Sequence, residues 1–168
     1  KSAGTLASMH RSALIAGRFD PPHLGHSYMI EWTRERCSDV VVYVNTKEGE
    51  AAPGELRAQW LAELHPEVTV VRVEHSLHND WNDEELWNKW IDLYRASWPL
   101  DSGPDVVVSS DFYISELAER LGAEALVCDP DRVNVPISAT LIRNDPSAHL
   151  EKLAPVVRRW VEQNWLSS

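Results

Sequence analysis

The chain has 168 residues and a net charge of −10, with 43% hydrophobic and 25% charged residues. These fractions exclude a disordered chain, and the length is typical of one globular domain. No apolar run approaches the roughly 20 residues that span a bilayer. An acidic chain is a poor general binder of DNA or RNA, because affinity for nucleic-acid phosphates comes from clustered Lys and Arg. The sequence therefore predicts a cytoplasmic protein that binds neither nucleic acid nor membrane.

Short apolar strands alternate with helical patterns along the chain. Residues 1–12 lack periodicity, which predicts a flexible leader before one domain over residues 13–168. The predicted strands cover residues 13–17, 39–45, 68–73, 105–109 and 125–128. The predicted helices cover residues 26–37, 54–64, 84–98, 114–121 and 146–166, the last with an interruption near Pro155. The two cysteines, Cys37 and Cys128, are isolated and adjoin apolar segments, which is typical of inert, buried thiols.

This alternation predicts an α/β fold with a single doubly wound, Rossmann-like parallel sheet of about five strands and helices on both faces. Ligands of such folds bind outside the carboxyl ends of the strands, near helix N-termini. The loops at residues 17–26, 45–54, 75–83, 109–113 and 129–143 are therefore the places to look for a site. The polar sequence motifs of this chain lie in these loops.

The first motif, Gly-Arg-Phe-Asp-Pro-Pro-His-Leu-Gly-His, covers residues 17–26 between the first strand and the first helix. Gly17 permits a tight turn, and His23 and His26 bracket Gly25 where a helix begins. Backbone N–H groups and the helix dipole favour an anion there, and two imidazoles can hydrogen-bond phosphate oxygens. Two alternatives stay open, namely histidines that only cap the helix and a zinc pair that lacks obvious further ligands.

The second motif, Ile-Ser-Ala-Thr-Leu-Ile-Arg, covers residues 137–143 after the fifth strand. Ser138 and Thr140 are suited to capping a helix or binding phosphate, and Arg143 lies about one helical turn beyond Thr140. A guanidinium fork suits a polyphosphate better than an ammonium group does. The alternative is a capped helix with a solvated arginine.

Together the two motifs resemble the HxGH and ISxTxxR signatures of the nucleotidyltransferase superfamily, with Ala139 where Gly or Ser is usual. Further segments in order are similar to the adenylyltransferase domain of the bifunctional bacterial nicotinamide-nucleotide adenylyltransferase and ribosylnicotinamide kinase family. These segments cover residues 54–61, 109–113, 121–124 and 129–132. Ile114 stands where that family usually has glycine. No GxxxxGK[ST] phosphate loop of a kinase half is present, so we expect an adenylyltransferase without the kinase.

The resemblance implies transfer of AMP from ATP to nicotinamide mononucleotide, which gives NAD and pyrophosphate. It assigns His23 and His26 to the phosphates near the reacting phosphorus, and Ser138, Thr140 and Arg143 to the β- and γ-phosphates. His23, His26 and Arg143 are the expected catalytic residues. The expected ATP-binding residues are Gly17, Arg18, Phe19, Gly25, Ser110, Asp111, Ser138 and Thr140. Magnesium is expected on the ATP phosphates, without protein ligands of its own.

The acceptor requires an aromatic surface for a flat, positively charged pyridinium ring. Trp81 and Trp87 are the candidates for stacking, although Trp87 and Trp90 also have the spacing of a helix core. Arg57 is a candidate for the mononucleotide phosphate, with a solvated helix arginine as the alternative. Lys47 is a further acceptor-binding candidate.

Three other functions stay open. One is a transferase of the same superfamily for another acceptor, such as a phosphopantetheine-like or a sugar or alcohol phosphate. Another is a catalytically silent nucleotide-sensing module, and a third, with only the histidine pair in its favour, is a zinc hydrolase. The expected partners are the small molecules ATP, nicotinamide mononucleotide and NAD, and self-association is left open.

Overall fold

The first strand begins before the predicted domain boundary. The computed structural model describes residues 9–111 and 114–166. In it β1 (His10–Gly17) runs parallel to β2 (Cys37–Thr46), with His10 opposite Cys37 and Ser12 opposite Asp39. The last three residues of the predicted leader are therefore part of the sheet, because a neighbouring strand satisfies their backbone groups. Residues 1–8 of the leader lie outside the described residues.

All the strand pairs are parallel, and the sheet has the order β3-β2-β1-β4-β5. The remaining strands are β3 (Thr69–Glu74), β4 (Val106–Ser109) and β5 (Glu124–Val127). The central strands are rich in buried valine and isoleucine, as a sheet covered on both faces requires. The predicted doubly wound α/β fold is confirmed. Its strand order reverses between β1 and β4, where such sheets bind ligands.

Helices cover both faces of the sheet, and each face has its own apolar core. The helices are α1 (Leu24–Arg34), α2 (Gly54–Leu64), α3 (Glu84–Ser97), α4 (Ile114–Leu121), α5 (Ala139–Asn144) and α6 (Pro155–Val161). Ile30 of α1 and Leu61 of α2 pack on one face. Ile91 of α3 and Ala118 of α4 pack on the other. None of these helices, within the described residues, is long and apolar enough to cross a membrane.

The bounds of α2 and α4 match the prediction, whereas those of α1 do not. The helix predicted over residues 26–37 begins at Leu24 and ends at Arg34, and Cys37 instead starts β2. The start is displaced because His23 itself caps the helix. The end is displaced because Cys37 pairs with β1 in the sheet, which the local pattern does not reveal.

The C-terminal part packs beside α2 and supports the second motif. The predicted interruption near Pro155 is confirmed, with a 3₁₀ helix at Pro146–Lys152, α6, and a π-helical turn at Glu162–Leu166. Val157 and Val161 of α6 are fully buried in a third cluster with Trp60, Ile137 and Ile142. This cluster anchors α5 and so fixes the residues that precede and follow Ser138.

Candidate active site at the carboxyl edge of the sheet

The two predicted motifs meet at the carboxyl edge of the sheet. Arg143 on α5 donates from Nη1 to the carbonyl oxygen of Asp20, in the loop after β1, over 2.6 Å. Its Nη2 donates to Thr140 Oγ1 at 3.3 Å. These bonds join segments that are 123 residues apart in sequence. They hold the second motif at a fixed place beside the first.

His23 and His26 form a reciprocal cap at the start of α1. His23 Nδ1 accepts hydrogen bonds from the backbone N–H groups of Gly25 at 3.0 Å and His26 at 3.3 Å. His26 Nδ1 in turn accepts from the backbone N–H of His23 at 3.1 Å. The imidazoles are stacked, with centroids 3.6 Å apart. Capping and a special role for the pair are therefore compatible, because each ring uses only one nitrogen for the cap.

Both imidazoles are neutral hydrogen-bond donors. Because each Nδ1 accepts a hydrogen bond, each ring carries its proton on Nε2. Burial, and secondly the charge of Arg132, lowers the pKa of His23 from 6.5 to about 3. Burial, His23 and Arg132 hold the pKa of His26 well below 6.5. Neither Nε2 has a hydrogen-bond partner within the described residues. Since every buried polar side-chain atom of the described residues has a partner, the two Nε2–H groups are not buried and face open space.

Phe19 and two glycines determine the position of the histidine pair. Phe19 has a φ of +53° and is 3% exposed, and its ring meets His26 edge-on with centroids 4.6 Å apart. A Cβ atom on Gly25 would lie 2.9 Å from His23 Cε1, so a larger residue would displace that ring. A Cβ atom on Gly17 would lie 3.4 Å from the Phe19 ring. The assignment of Phe19 to ATP is therefore corrected for its side chain, which supports His26 and offers almost no surface.

Ser138 is the N-cap of α5. Its Oγ accepts from the backbone N–H of Leu141 at 3.2 Å, between the buried residues Ile137 and Ile142. Thr140 is exposed on the first turn, beside the Arg143 guanidinium. The hydroxyl of Thr140 and the guanidinium of Arg143 are thus together, and Ser138 stands at the start of the same helix.

The predicted role of Arg57 as a ligand for the mononucleotide phosphate is wrong. Its side chain is fully buried, and its guanidinium donates to the carbonyl oxygens of Ala52, Arg18 and Asn45. It also forms an ion pair with Glu50 at 2.5 Å. Four of its five N–H groups have protein partners, and no solvent reaches the group. Arg57 therefore ties the loops after β1 and β2 together.

Asp20, inside the first motif, also connects the loops after β1 and β2. It is 2% exposed, and its two carboxylate oxygens accept from the backbone N–H groups of Ala51 and Ala52, each at 2.8 Å. Arg57 Nε lies 4.0 Å from it. A buried carboxylate with this many partners is stable only as part of the closed network, so the motif depends on the loop after β2 for its shape.

A cavity of about 600 Å³ opens beside the end of β1. Three predicted acceptor-binding residues line it, namely Lys47, Trp81 and Trp87. Trp87 is 8% exposed and Trp81 is 52% exposed, and their ring centroids are 5.1 Å apart. Arg120 lies over the Trp87 ring at 4.6 Å. Because Arg120 and Trp81 both pack against it, Trp87 mainly supports the ring of Trp81. Trp81 presents the accessible aromatic surface.

The remaining predicted site residues also lie at the carboxyl edge of the sheet, but they differ in solvent exposure. Arg18 is exposed and lines the cavity, while Lys47 also lines it and donates from Nζ to the carbonyl oxygen of Leu77 at 3.1 Å. Ser110 and Asp111 follow the end of β4 and are half-buried. Asp111 N–H donates to Ser109 Oγ at 3.1 Å, and its carbonyl oxygen accepts from the N–H of Ile114 at 3.3 Å, where α4 begins.

Sequence reasoning weighed Trp90 but did not choose it as a site residue, and it missed His75 and Arg132. His75 and Trp90 line the cavity, with ring centroids 4.5 Å apart. His75 Nδ1 accepts from the Leu77 N–H at 3.1 Å, and burial lowers its pKa. Arg132 follows β5, and its positive charge contributes to the lowered pKa of both histidines of the first motif. Two features of the sequence could have pointed to these residues. His75 begins the predicted ligand loop at residues 75–83, and Arg132 ends the segment 129–132 that resembles the adenylyltransferase family.

The described residues contain no group of three or more His, Cys, Asp or Glu side chains that could hold a metal ion. Each histidine of the first motif uses Nδ1 in the helix cap, which leaves only Nε2 as a possible metal ligand.

The sequence comparisons agree with this geometry. A family model described as cytidylyltransferase-like matches residues 14–145. A nicotinamide-nucleotide adenylyltransferase of Aeropyrum pernix is 27% identical over 173 residues, which cover 89% of this chain and 90% of that protein.

Solved structures show the same fold. A NadR protein in complex with NAD and AMP-PNP superposes with a TM-score of 0.60 at 20% identity, over 84% of this chain and 44% of that one. A bifunctional NMN adenylyltransferase/ADP ribose pyrophosphatase of Francisella tularensis, complexed with AMP and a manganese ion, gives 0.59 at 20% identity, over 81% and 41%. The chain thus spans less than half of each of these two proteins.

Proposed function

Because the chain belongs to the cytidylyltransferase-like family, we propose that it transfers AMP from ATP to nicotinamide mononucleotide, giving NAD and pyrophosphate. The observation that carries this is the pair of neutral imidazole donors, His23 and His26, held next to Arg143 at the switch point of the sheet. The Aeropyrum pernix relative, which matches across nearly the whole chain, supports a nicotinamide nucleotide as the acceptor.

The reaction requires positioning and charge stabilisation rather than a base. An oxygen of the mononucleotide phosphate attacks the α-phosphorus of ATP, forming a new P–O bond. The bond between the α-phosphorus and its bridging oxygen to the β-phosphate breaks, and pyrophosphate leaves with the electron pair. The attacking oxygen is already deprotonated, so the site has no proton to remove.

His23 and His26 supply two fixed N–H donors for oxygens of the reacting phosphate. Their backbone caps hold both rings in place before ATP arrives, so little reorganisation is needed in the transition state. Ser138, Thr140 and Arg143 bind the departing β- and γ-phosphates from the start of α5. Gly17 and Gly25 allow the backbone to approach the nucleotide closely, and Arg18 stands at the mouth of the site.

Magnesium would bind here mainly through the ATP phosphates, since the described residues contain no group of three or more metal-ligating side chains. There it would neutralise phosphate charge. The protein's part is to bind the complex through the donors named above.

The acceptor occupies the cavity of about 600 Å³ beside β1. Its pyridinium ring stacks on Trp81, which Trp87 supports from within the cavity. His75 and Lys47, on the same wall, contact its polar groups. We assign Ser110 and Asp111, which follow β4, to the adenosine part of ATP.

Incubation with ATP, magnesium and a panel of acceptors tests the proposal. The panel holds nicotinamide mononucleotide, its deamidated acid, phosphopantetheine and glycerol 3-phosphate, with pyrophosphate release and chromatography as readouts. We expect NAD from nicotinamide mononucleotide. Turnover with phosphopantetheine or glycerol 3-phosphate alone contradicts the acceptor, and ATP binding without turnover of any acceptor contradicts the enzyme.

A further inference from the structure

We propose that Arg132 is a second polyphosphate-binding arginine, which holds the leaving pyrophosphate of ATP together with Arg143. This proposal rests on the proposed adenylyl transfer for its catalytic meaning, but its binding claim concerns ATP alone.

The backbone at Arg132 is held in an unusual conformation. Arg132 and Asp129 have φ values of +53° and +46°, in the left-handed region that side chains rarely adopt. The other non-glycine residue with positive φ in the described ranges 9–111 and 114–166 is Phe19, beneath the histidine pair. All three lie in the two loops that form the candidate site, and strained backbone is typical of functional loops.

Asp129 maintains this conformation. Its carboxylate accepts from the backbone N–H groups of Val133 at 3.1 Å and Asn134 at 2.9 Å. Its carbonyl oxygen accepts from the N–H of Arg132 at 2.9 Å. The hydrogen bond from Asn134 is the main reason that the pKa of Asp129 is lowered. The turn therefore stays closed at neutral pH and presents Arg132 in a fixed direction.

The guanidinium of Arg132 lies between the two motifs. Its Nη1 donates to the carbonyl oxygen of Ile137 at 3.3 Å, next to the N-cap residue Ser138. The Ile137 side chain reaches the histidine turn, since a Cβ atom on Gly25 would lie 3.4 Å from its Cγ2. The positive charge of Arg132 also acts on both His23 and His26.

Because its histidines are neutral, the site relies on arginines for positive charge, and Arg132 would add to the charge of Arg143. ATP brings a highly charged triphosphate, and charge grows on pyrophosphate as it leaves. Neutral imidazoles supply hydrogen bonds but no positive charge. Within the described residues Arg132 has no carboxylate within ion-pair distance, whereas Arg57 and Arg120 each pair with two. Its remaining N–H donors are thus suited to phosphate oxygens.

Calorimetric titration of three variants tests this assignment. Arg132→Gln removes the charge, Arg132→Lys keeps it without the fork, and Arg159→Gln removes an arginine from an exposed position on α6 as the matched control. Each is titrated with ATP, inorganic pyrophosphate and AMP. The Gln variant should bind ATP and pyrophosphate about tenfold or more weakly, as expected for losing a charged hydrogen bond. Its AMP affinity should change by less than about threefold, the Lys variant should recover part of the loss, and the control should match wild type.

Two results overturn the assignment. One is unchanged affinity of Arg132→Gln for ATP and pyrophosphate, and the other is an equal loss for AMP, which indicates a structural role. The proposed function fails separately, when wild type binds ATP but forms no NAD. A wild-type chain that binds neither ATP nor pyrophosphate contradicts both proposals.

Discussion

Because His23 is buried as a neutral group, the protein should be less stable in mild acid. The pKa of His23 is about 3 in the folded protein, against 6.5 for an ordinary histidine. Below pH 6.5 the unfolded chain therefore binds a proton that the folded chain rejects, and stability falls as the pH falls. At pH 5 the difference covers about 1.5 pH units, which at about 1.4 kcal/mol per unit is about 2 kcal/mol.

The variant His23→Asn isolates this contribution. Asparagine is a good N-cap, so it can accept the backbone hydrogen bonds of the turn without titrating. Urea denaturation at pH 7.5 and pH 5 should show a fall in the free energy of unfolding that is smaller in His23→Asn by about 2 kcal/mol. Leu24→Ala, on the same turn, keeps both imidazoles and should keep the wild-type pH dependence. Equal falls in wild type and His23→Asn refute the reasoning, because His23 is then not buried as a neutral group.

Three further predictions concern residues around the site. Arg57→Ala should lower the free energy of unfolding by about 3 kcal/mol or more in urea denaturation, since it strands buried carboxylates, and a loss below about 1 kcal/mol contradicts the buried network. Gly25→Ala should lower the kcat of NAD formation at least about tenfold by displacing His23, whereas Gly122→Ala, at φ +73° in open space, should cost about 1 kcal/mol of stability with kcat unchanged. Trp81→Ala should raise the KM of the acceptor about fivefold or more and leave the KM of ATP unchanged in steady-state assays, and equal KM values for the acceptor would exclude Trp81 as the stacking surface.

The fold is largely readable from local pattern, because each strand of a buried parallel sheet is an apolar run between turn residues. The bounds of α2 and α4 follow from their own spacing of apolar side chains. The predicted bounds are wrong where pairing with a strand distant in sequence determines them. His10 belongs to β1 only because β2 pairs with it, and Cys37 starts β2 for the same reason.

The motifs of the site could be predicted from the sequence, but the hydrogen bonding, burial and position of its charged and titratable side chains could not. The spacing of His23 and His26 indicates a phosphate site, but only the structure shows that each Nδ1 is used by the cap. Arg57 is predicted from the sequence to bind the acceptor phosphate, or else to be a solvated helix arginine, and is instead buried with Glu50. Arg132 stands in a recognised segment, yet its place between two motifs depends on the left-handed turn that Asp129 closes.

In the proposed mechanism the histidine pair stabilises the transferring phosphoryl group rather than merely binding ATP. The variant His26→Asn separates these two roles, because asparagine can still accept the backbone hydrogen bond but lacks the Nε2–H donor. We predict that kcat for NAD formation falls about 100-fold or more, as expected for losing a transition-state donor, while the dissociation constant of ATP changes less than about threefold. An equal loss in kcat and ATP affinity, or an unchanged kcat, would contradict the account.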